Sequence, residues 1–136
     1  MGLRLPRVLN CDGKSVKMTA SEQIWRQAIL PIKTTIEQVI QNLDQTAIKI
    51  VLVVNETGGL EGTISDGDVR RGLLKGLDMN SPITSIIHHD ALVVPPELER
   101  ELVMQLMVAN KIQQIPVVDE QHHVIGLHLW DEMTTS

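Results

Sequence analysis

Apolar positions along the chain switch between helical and strand periods, and they do so twice in the same order. Ile36, Val39, Ile40 and Leu43 recur at the spacing of one helix face, behind Thr35-Ile36-Glu37-Gln38, a hydroxyl followed three residues later by Gln that reads as a capping box. Ile50–Val54 is a short, continuous, mostly β-branched run, the pattern of a strand buried on both faces. Asn55-Glu56-Thr57-Gly58-Gly59 supplies turn residues, so 60–65 is expected to pair back as a second strand. A helix from about Asp66 then carries Val69, Leu73 and Leu74 and stops at Gly76.

The same series returns further on. Displaced by 64 positions, Val53-Val54-Asn55-Glu56 falls on Val117-Val118-Asp119-Glu120, Gly62 falls on Gly126, and Val39, Leu43 and Ile48 fall on Val103, Met107 and Ile112. The second copy is expected to open with extended pieces at 83–87 and 91–94. A helix follows Pro95-Pro96, with Leu98, Leu102, Val103, Leu106 and Met107 on its face. Strands follow at 115–118 and 124–129, with a last helix from Trp130. An internal repeat fixes the architecture, and two copies point to a closed pair instead of an open solenoid. The fold class is therefore mixed α/β (α+β), two βαββα repeats related by a pseudo-twofold axis.

The ends are less patterned. Residues 1–17 show no sustained period and carry Pro6 and Gly13; they are expected to be a flexible N-terminal tail. Thr19-Ala20-Ser21-Glu22 is a further capping box, so 18–80 is taken as a short helix plus the first copy, and 81–136 as the second. Pro31 ends that short helix, and its Trp25 is expected to clasp the main domain, with stacking on a ligand as the alternative. The abrupt end after the last helix suggests a piece of a longer protein.

Composition narrows the function. A length of 136 residues with 43% hydrophobic content can bury one shared core, and with two Trp and no Phe or Tyr that core must be aliphatic. A net charge of −5 argues against a nucleic-acid surface, and no apolar run approaches a membrane span or a signal peptide. Cys11 is the single cysteine, so no disulfide framework exists and a cytoplasmic location is the default expectation.

Candidate chemistry concentrates in Leu60-Glu61-Gly62-Thr63-Ile64-Ser65-Asp66-Gly67-Asp68-Val69-Arg70-Arg71. A strand runs into a helix start there, with a hydroxyl, carboxylates and two guanidiniums close by. Backbone amides and Arg can hold phosphate, and a carboxylate can accept from a ribose diol, so the stretch suits a sugar-phosphate ligand. An ordinary capped helix after a strand is the plainer account of the same residues.

These features resemble the tandem CBS-domain pair, or Bateman module, across roughly residues 29–133. The likeness rests on the doubled βαββα order, on Ile115-Pro116-Val117-Val118-Asp119, and on Gly62-x-x-Ser65-x-x-Asp68, which matches the family's ribose-phosphate motif. The string from Gly62 to Gly76 also looks like the CBS region ahead of sugar-nucleotidyltransferase domains, and none of these 136 residues is expected to form a catalytic domain. The resemblance implies an adenine nucleotide (AMP, ADP or ATP) between the copies, a homodimer, and control of an attached or partner enzyme. It would place Asp68 on the ribose hydroxyls and Ser65 on ribose or phosphate, with Gly62 and Thr63 in the same motif. Arg70 and Arg71 would lie near phosphate, and Ile50, Val51, Ile115 and Pro116 beside the base. The second copy departs from the motif: Ser65 becomes Leu129 and Asp68 becomes Glu132, so that site is expected to be weak or empty unless Asp131 or Trp130 compensates. A structural or oligomerisation module without ligand is the alternative reading.

Other polar groups are expected to carry no chemistry. His88-His89 and His122-His123 are adjacent pairs that a strand would point to opposite faces, so together with His128 they read as surface histidines and not as metal ligands. A Ser65–His128 nucleophilic pair lacks a nucleophile elbow, and no catalytic residue is assigned. Glu97, Glu99, Arg100 and Glu101 read as the solvated start of a helix.

Overall fold

The computed structural model describes residues 7–9, 15–17 and 25–134. In chain order these form β1 (Arg7–Leu9), β2 (Ser15–Lys17), β3 (Ile29–Pro31), α1 (Ile36–Thr46), β4 (Ile50–Val54), β5 (Leu60–Ser65) and α2 (Asp66–Leu74). The second half adds a 3-10 turn (Ile83–Ser85), α3 (Arg100–Asn110), β6 (Gln114–Val118), β7 (Val124–Leu129) and α4 (Trp130–Thr134). β3, β4 and β5 make one sheet, parallel between β3 and β4 and antiparallel between β4 and β5; β6 and β7 make an antiparallel pair.

The repeat is written into the backbone as closely as into the sequence. Ile50 pairs with Ser65 and Gln114 with Leu129, and the register shifts between Val53 and Val54 in one copy and between Val117 and Val118 in the other. The hairpin turns are built alike. Asn55 Oδ1 accepts from the amides of Thr57 and Gly59, and Asp119 Oδ1 accepts from those of Gln121 and His123. Short side-chain acceptors thus stand in for a backbone turn at the same place in each copy. In the second turn His122 takes the left-handed conformation that Gly58 holds in the first.

α1 begins as expected: Thr35 caps it, and the Gln38 side chain accepts back from the Thr35 amide at 3.0 Å. It ends at Ala47 with φ 58°, and α3 ends at the equivalent Lys111 with φ 56°. An L-residue in that conformation costs about 1 kcal/mol, which glycine would relieve, less the entropy glycine adds to the unfolded chain. Ala47→Gly is therefore expected to stabilise the protein by about 0.5 kcal/mol, read as a raised urea midpoint at unchanged slope.

Three apolar clusters form the core. α1 and α2 cover one face of the first sheet, where Ile36, Val39, Val51, Val53, Ile64 and Val69 meet. α3 and α4 cover the second pair through Val103, Met107, Ile115, Val117 and Met133. The third cluster joins Trp25, Ile50, Leu52 and Leu60 to Val118, so it lies between the copies. Side chains alternate along β4 and β6: odd positions Val51, Val53, Ile115 and Val117 face their helices, while Ile50, Leu52 and Val118 face the junction. Trp25 is buried there, with Arg26 stacked 5.0 Å above its ring, which matches the clasp reading.

Several expectations need correction. Within the stretch read as a tail, Arg7–Leu9 and Ser15–Lys17 pair antiparallel; three-residue strands are too short to show a period. The capping box at 19–22 lies outside the described residues, although 25–27 are helical. Ile83–Ser85 is a 3-10 turn and not an extended piece. α3 starts at Arg100, after a turn closed by the Leu98 amide donating to the Pro95 carbonyl, because consecutive prolines hold the chain extended before it can coil. Arg100 donates to the Met133 carbonyl and so ties α3 to α4. Leu73, Leu74 and Leu102, read above among the apolar residues that these helices carry, are exposed; the buried faces are Val69 and Gly72 on α2, and Val103 and Met107 on α3.

Candidate functional site

The capping motif at Ser65 builds the site. The Ser65 hydroxyl accepts from the Asp68 amide at 3.3 Å, while Asp68 Oδ2 accepts from the Ser65 amide at 2.9 Å and from its hydroxyl at 3.1 Å. The other carboxylate oxygen, Oδ1, accepts from Arg71 at 2.6 Å. Both side chains are thus immobilised at the mouth of α2, Asp68 being only 19% exposed against 64% for Arg71. A carboxylate held this way keeps unused lone pairs and can accept more hydrogen bonds than it does here. The same geometry also satisfies the ordinary capping account of these residues.

The second copy supplies the opposite wall. From Pro82 the chain crosses back over the first sheet, where His88 and Thr63 exchange backbone hydrogen bonds of 2.8 and 3.1 Å. Only glycine permits this crossing at position 62: a Cβ there would stand 2.4 Å from the His88 carbonyl oxygen. Further along, Val94 joins Val117 in parallel, and the Gln114 side chain donates to the Ile48 carbonyl at 3.2 Å, tying β6 to the first copy.

Between these walls lies a cleft of about 420 Å³, the size of a small-molecule site. Ile50, Thr63, Ser65, Asp68 and Arg71 line one side, and His88, Asp90–Leu92, Asn110, Ile112, Gln114 and Pro116 the other. Six of the sequence candidates therefore come together here: Ile50, Thr63, Ser65, Asp68, Arg71 and Pro116. Four do not line it. Val51 and Ile115 follow Ile50 and precede Pro116 on their strands, so the pleat turns them into the helix-covered cores. Gly62 is buried at the crossing, and Arg70 is exposed elsewhere around α2. His88, Asp90, Asn110, Ile112 and Gln114 were missed. The offset points to Gln114, the counterpart of Ile50, whereas nothing local marks His88.

A second recess of about 470 Å³ adjoins the cleft and shares Asp68, Arg71 and His88 with it. Gly72, Lys75, Leu77 and Ser85–Ile87 complete its lining.

At the corresponding place in the second copy, Leu129 and Glu132 replace the hydroxyl and the short carboxylate, and both lie outside the cleft just described. His128, beside them, has its pKa lowered by burial, against the pull of Glu132, which raises it. Among the described residues no three His, Cys, Asp or Glu side chains group as metal ligands, and no helix is long and apolar enough to cross a membrane.

Comparison with known proteins agrees with this layout. The model of the CBS domain matches residues 24–75 and 83–127, one match per copy. An uncharacterised Helicobacter pylori protein is 30% identical over 120 residues, covering 84% of this chain and 35% of its own length. Arabinose 5-phosphate isomerase GutQ of Salmonella typhi is 25% identical over 95 residues, covering 70% of this chain and 30% of its own. The chain thus spans about a third of the length of these two relatives. Among solved structures, a CBS domain protein of Pyrobaculum aerophilum complexed with AMP superposes with a TM-score of 0.71 at 17% identity, covering 79% of this chain and 83% of its own. The cytosolic domain of the Mg2+ channel MgtE in complex with ATP gives 0.66 at 26% identity, covering 76% of this chain and 42% of its own.

Proposed function

The chain belongs to the CBS-domain family as a tandem pair, and from that premise we propose that it is a regulatory module whose cleft takes an adenine nucleotide. The observation that carries this reading is the shared cleft itself. It places an immobilised Ser65–Asp68 pair and a guanidinium from the first copy opposite Pro116 and Gln114 of the second. The base would lie between the apolar surfaces of Ile50, Ile112 and Pro116, the ribose diol against Asp68, and phosphate within reach of Arg71. The relatives known with AMP and with ATP support the ligand class.

Regulation follows from the two-sided wall. A ligand that touches both copies favours the relative arrangement it fits best, and only that difference in affinity can transmit a signal. The recipient is an attached or partner enzyme. GutQ, a relative that by its name isomerises a sugar phosphate, supports an enzyme of sugar metabolism more broadly than the nucleotidyltransferase expected above. A homodimer is part of the reading, and Leu74 and Val108, 81% and 65% exposed on α2 and α3, provide apolar helix surface for it.

The alternative, a structural module without ligand, draws on one observation: the capping box and the Arg71 pair already account for Ser65 and Asp68. Calorimetric titration with AMP, ADP and ATP separates the two. The expected result is saturation near one equivalent per chain with at least one of them. Two equivalents would mean that Leu129 and Glu132 leave a second site working, and absence of heat with all three would leave the structural module.

A further inference from the structure

The recess beside the nucleoside cleft has the chemistry of a polyphosphate chamber. It adjoins the cleft at the Asp68–Arg71 pair and His88, which line both. Asp68, Arg71 and Gly72 present one stripe of α2 to it, and Lys75, the residue that ends the helix, continues that stripe at the same three- and four-residue spacing. Ser85 and His88 stand on the far wall.

Charge differs between the two spaces. The nucleoside cleft is lined by Asp68 and Asp90 against the single cation Arg71. The recess is lined by Arg71 and Lys75 against Asp68 alone. A phosphate chain growing from a ribose at Asp68 is therefore repelled from the Asp90 side and drawn past Arg71 toward Lys75. Gly72 is buried, with Ile86 and Leu77 packed close to its α-carbon, so this part of the wall is fixed by packing.

We propose that the site reads phosphate-chain length, with Lys75 as the residue that favours nucleoside di- and triphosphates over the monophosphate. This rests on the nucleotide-binding reading above. Lys75 also stands beside the last carbonyls of α2, where a cation complements the helix dipole. That structural role would change stability and leave the ranking of ligands untouched.

The test is calorimetric titration with AMP, ADP and ATP in buffer without divalent cations, on the wild-type chain and on Lys75→Gln, with thermal unfolding of both. ADP and ATP are expected to bind about tenfold more tightly than AMP, the effect of one further cation at a partly exposed site. Lys75→Gln is expected to remove most of that margin and to leave the AMP affinity unchanged. The proposal is overturned if AMP binds as tightly as ATP to the wild type. It also fails if the margin survives in Lys75→Gln, or if that variant weakens AMP as much as ATP. Absence of binding by all three nucleotides overturns the nucleotide reading and this proposal with it, whereas a preference for AMP overturns this proposal alone.

Discussion

Asp68→Asn is expected to weaken the proposed adenine nucleotide by tenfold or more while leaving the fold standing. The amide keeps one carbonyl oxygen, so it can still accept from the Ser65 amide as the carboxylate now does at 2.9 Å. What it loses is the charge and the second acceptor, the oxygen that Arg71 now holds. The Arg71 side chain is mostly exposed, so losing that pair costs well under 1 kcal/mol of stability. A charge-assisted hydrogen bond to a ligand diol is worth about 1.5–3 kcal/mol, which sets the expected loss of affinity at one to two decades. Asp68→Ala removes the capping acceptor as well and should lower stability by about 1 kcal/mol. Urea unfolding beside the titration therefore separates the roles. If Asp68→Asn binds like the wild type, the carboxylate is a capping group and nothing more.

That double reading explains how far the site was legible in the sequence. A hydroxyl at 65 and a carboxylate at 68 satisfy a helix cap and a ribose contact with the same spacing, so neither reading excludes the other on local pattern. The repeat shows where the motif sits in a doubled fold, because the same offset that pairs Ile50 with Ser65 pairs Gln114 with Leu129, but the choice between cap and contact belongs to the titration. Strand and hairpin positions were readable because continuous β-branched runs and Asx-type turns leave local marks. The opposite wall was not. His88 reaches the cleft through a crossing that depends on backbone pairing with Thr63, a contact between distant segments with no local signature. Val51 and Ile115 were placed beside their neighbours at the base, but the pleat allows only one of two adjacent residues to face the cleft.

Helix faces were misread for a related reason. Leu73, Leu74 and Leu102 are apolar, yet burial depends on which side the sheet lies, and Val69, Gly72, Val103 and Met107 occupy that side. Leucine on the other side is not a contradiction of the period. It marks apolar helix surface that the proposed second copy would cover.

Gly62→Ala and Gly126→Ala, the same substitution at equivalent positions of the two copies, are expected to differ by about 2 kcal/mol or more in stability. At position 62 a Cβ would stand 2.4 Å from the His88 carbonyl oxygen, 2.9 Å from its carbon and 2.6 Å from Ile87 Cγ2. Two of these are backbone atoms, so no side-chain rotation relieves the clash. The crossing segment must lift, and the 2.8 and 3.1 Å hydrogen bonds between His88 and Thr63 lengthen or break. Overpacking of this kind costs about 1–3 kcal/mol, and an unpaired backbone group adds to it. At position 126 the nearest atoms are Val117 Cβ and Cγ2 at 3.5 Å, an ordinary contact. Removing a strand glycine there should be neutral or stabilising by about 0.5 kcal/mol. Urea denaturation of the three proteins measures the difference directly. The effect should reach the proposed function too, since the segment displaced by Gly62→Ala carries His88 and Asp90–Leu92 to the cleft. Gly62→Ala is expected to lose nucleotide affinity even where the protein remains folded, and Gly126→Ala to keep it. Equal stability of the two variants would mean that the crossing is not the fixed point on which the cleft is built.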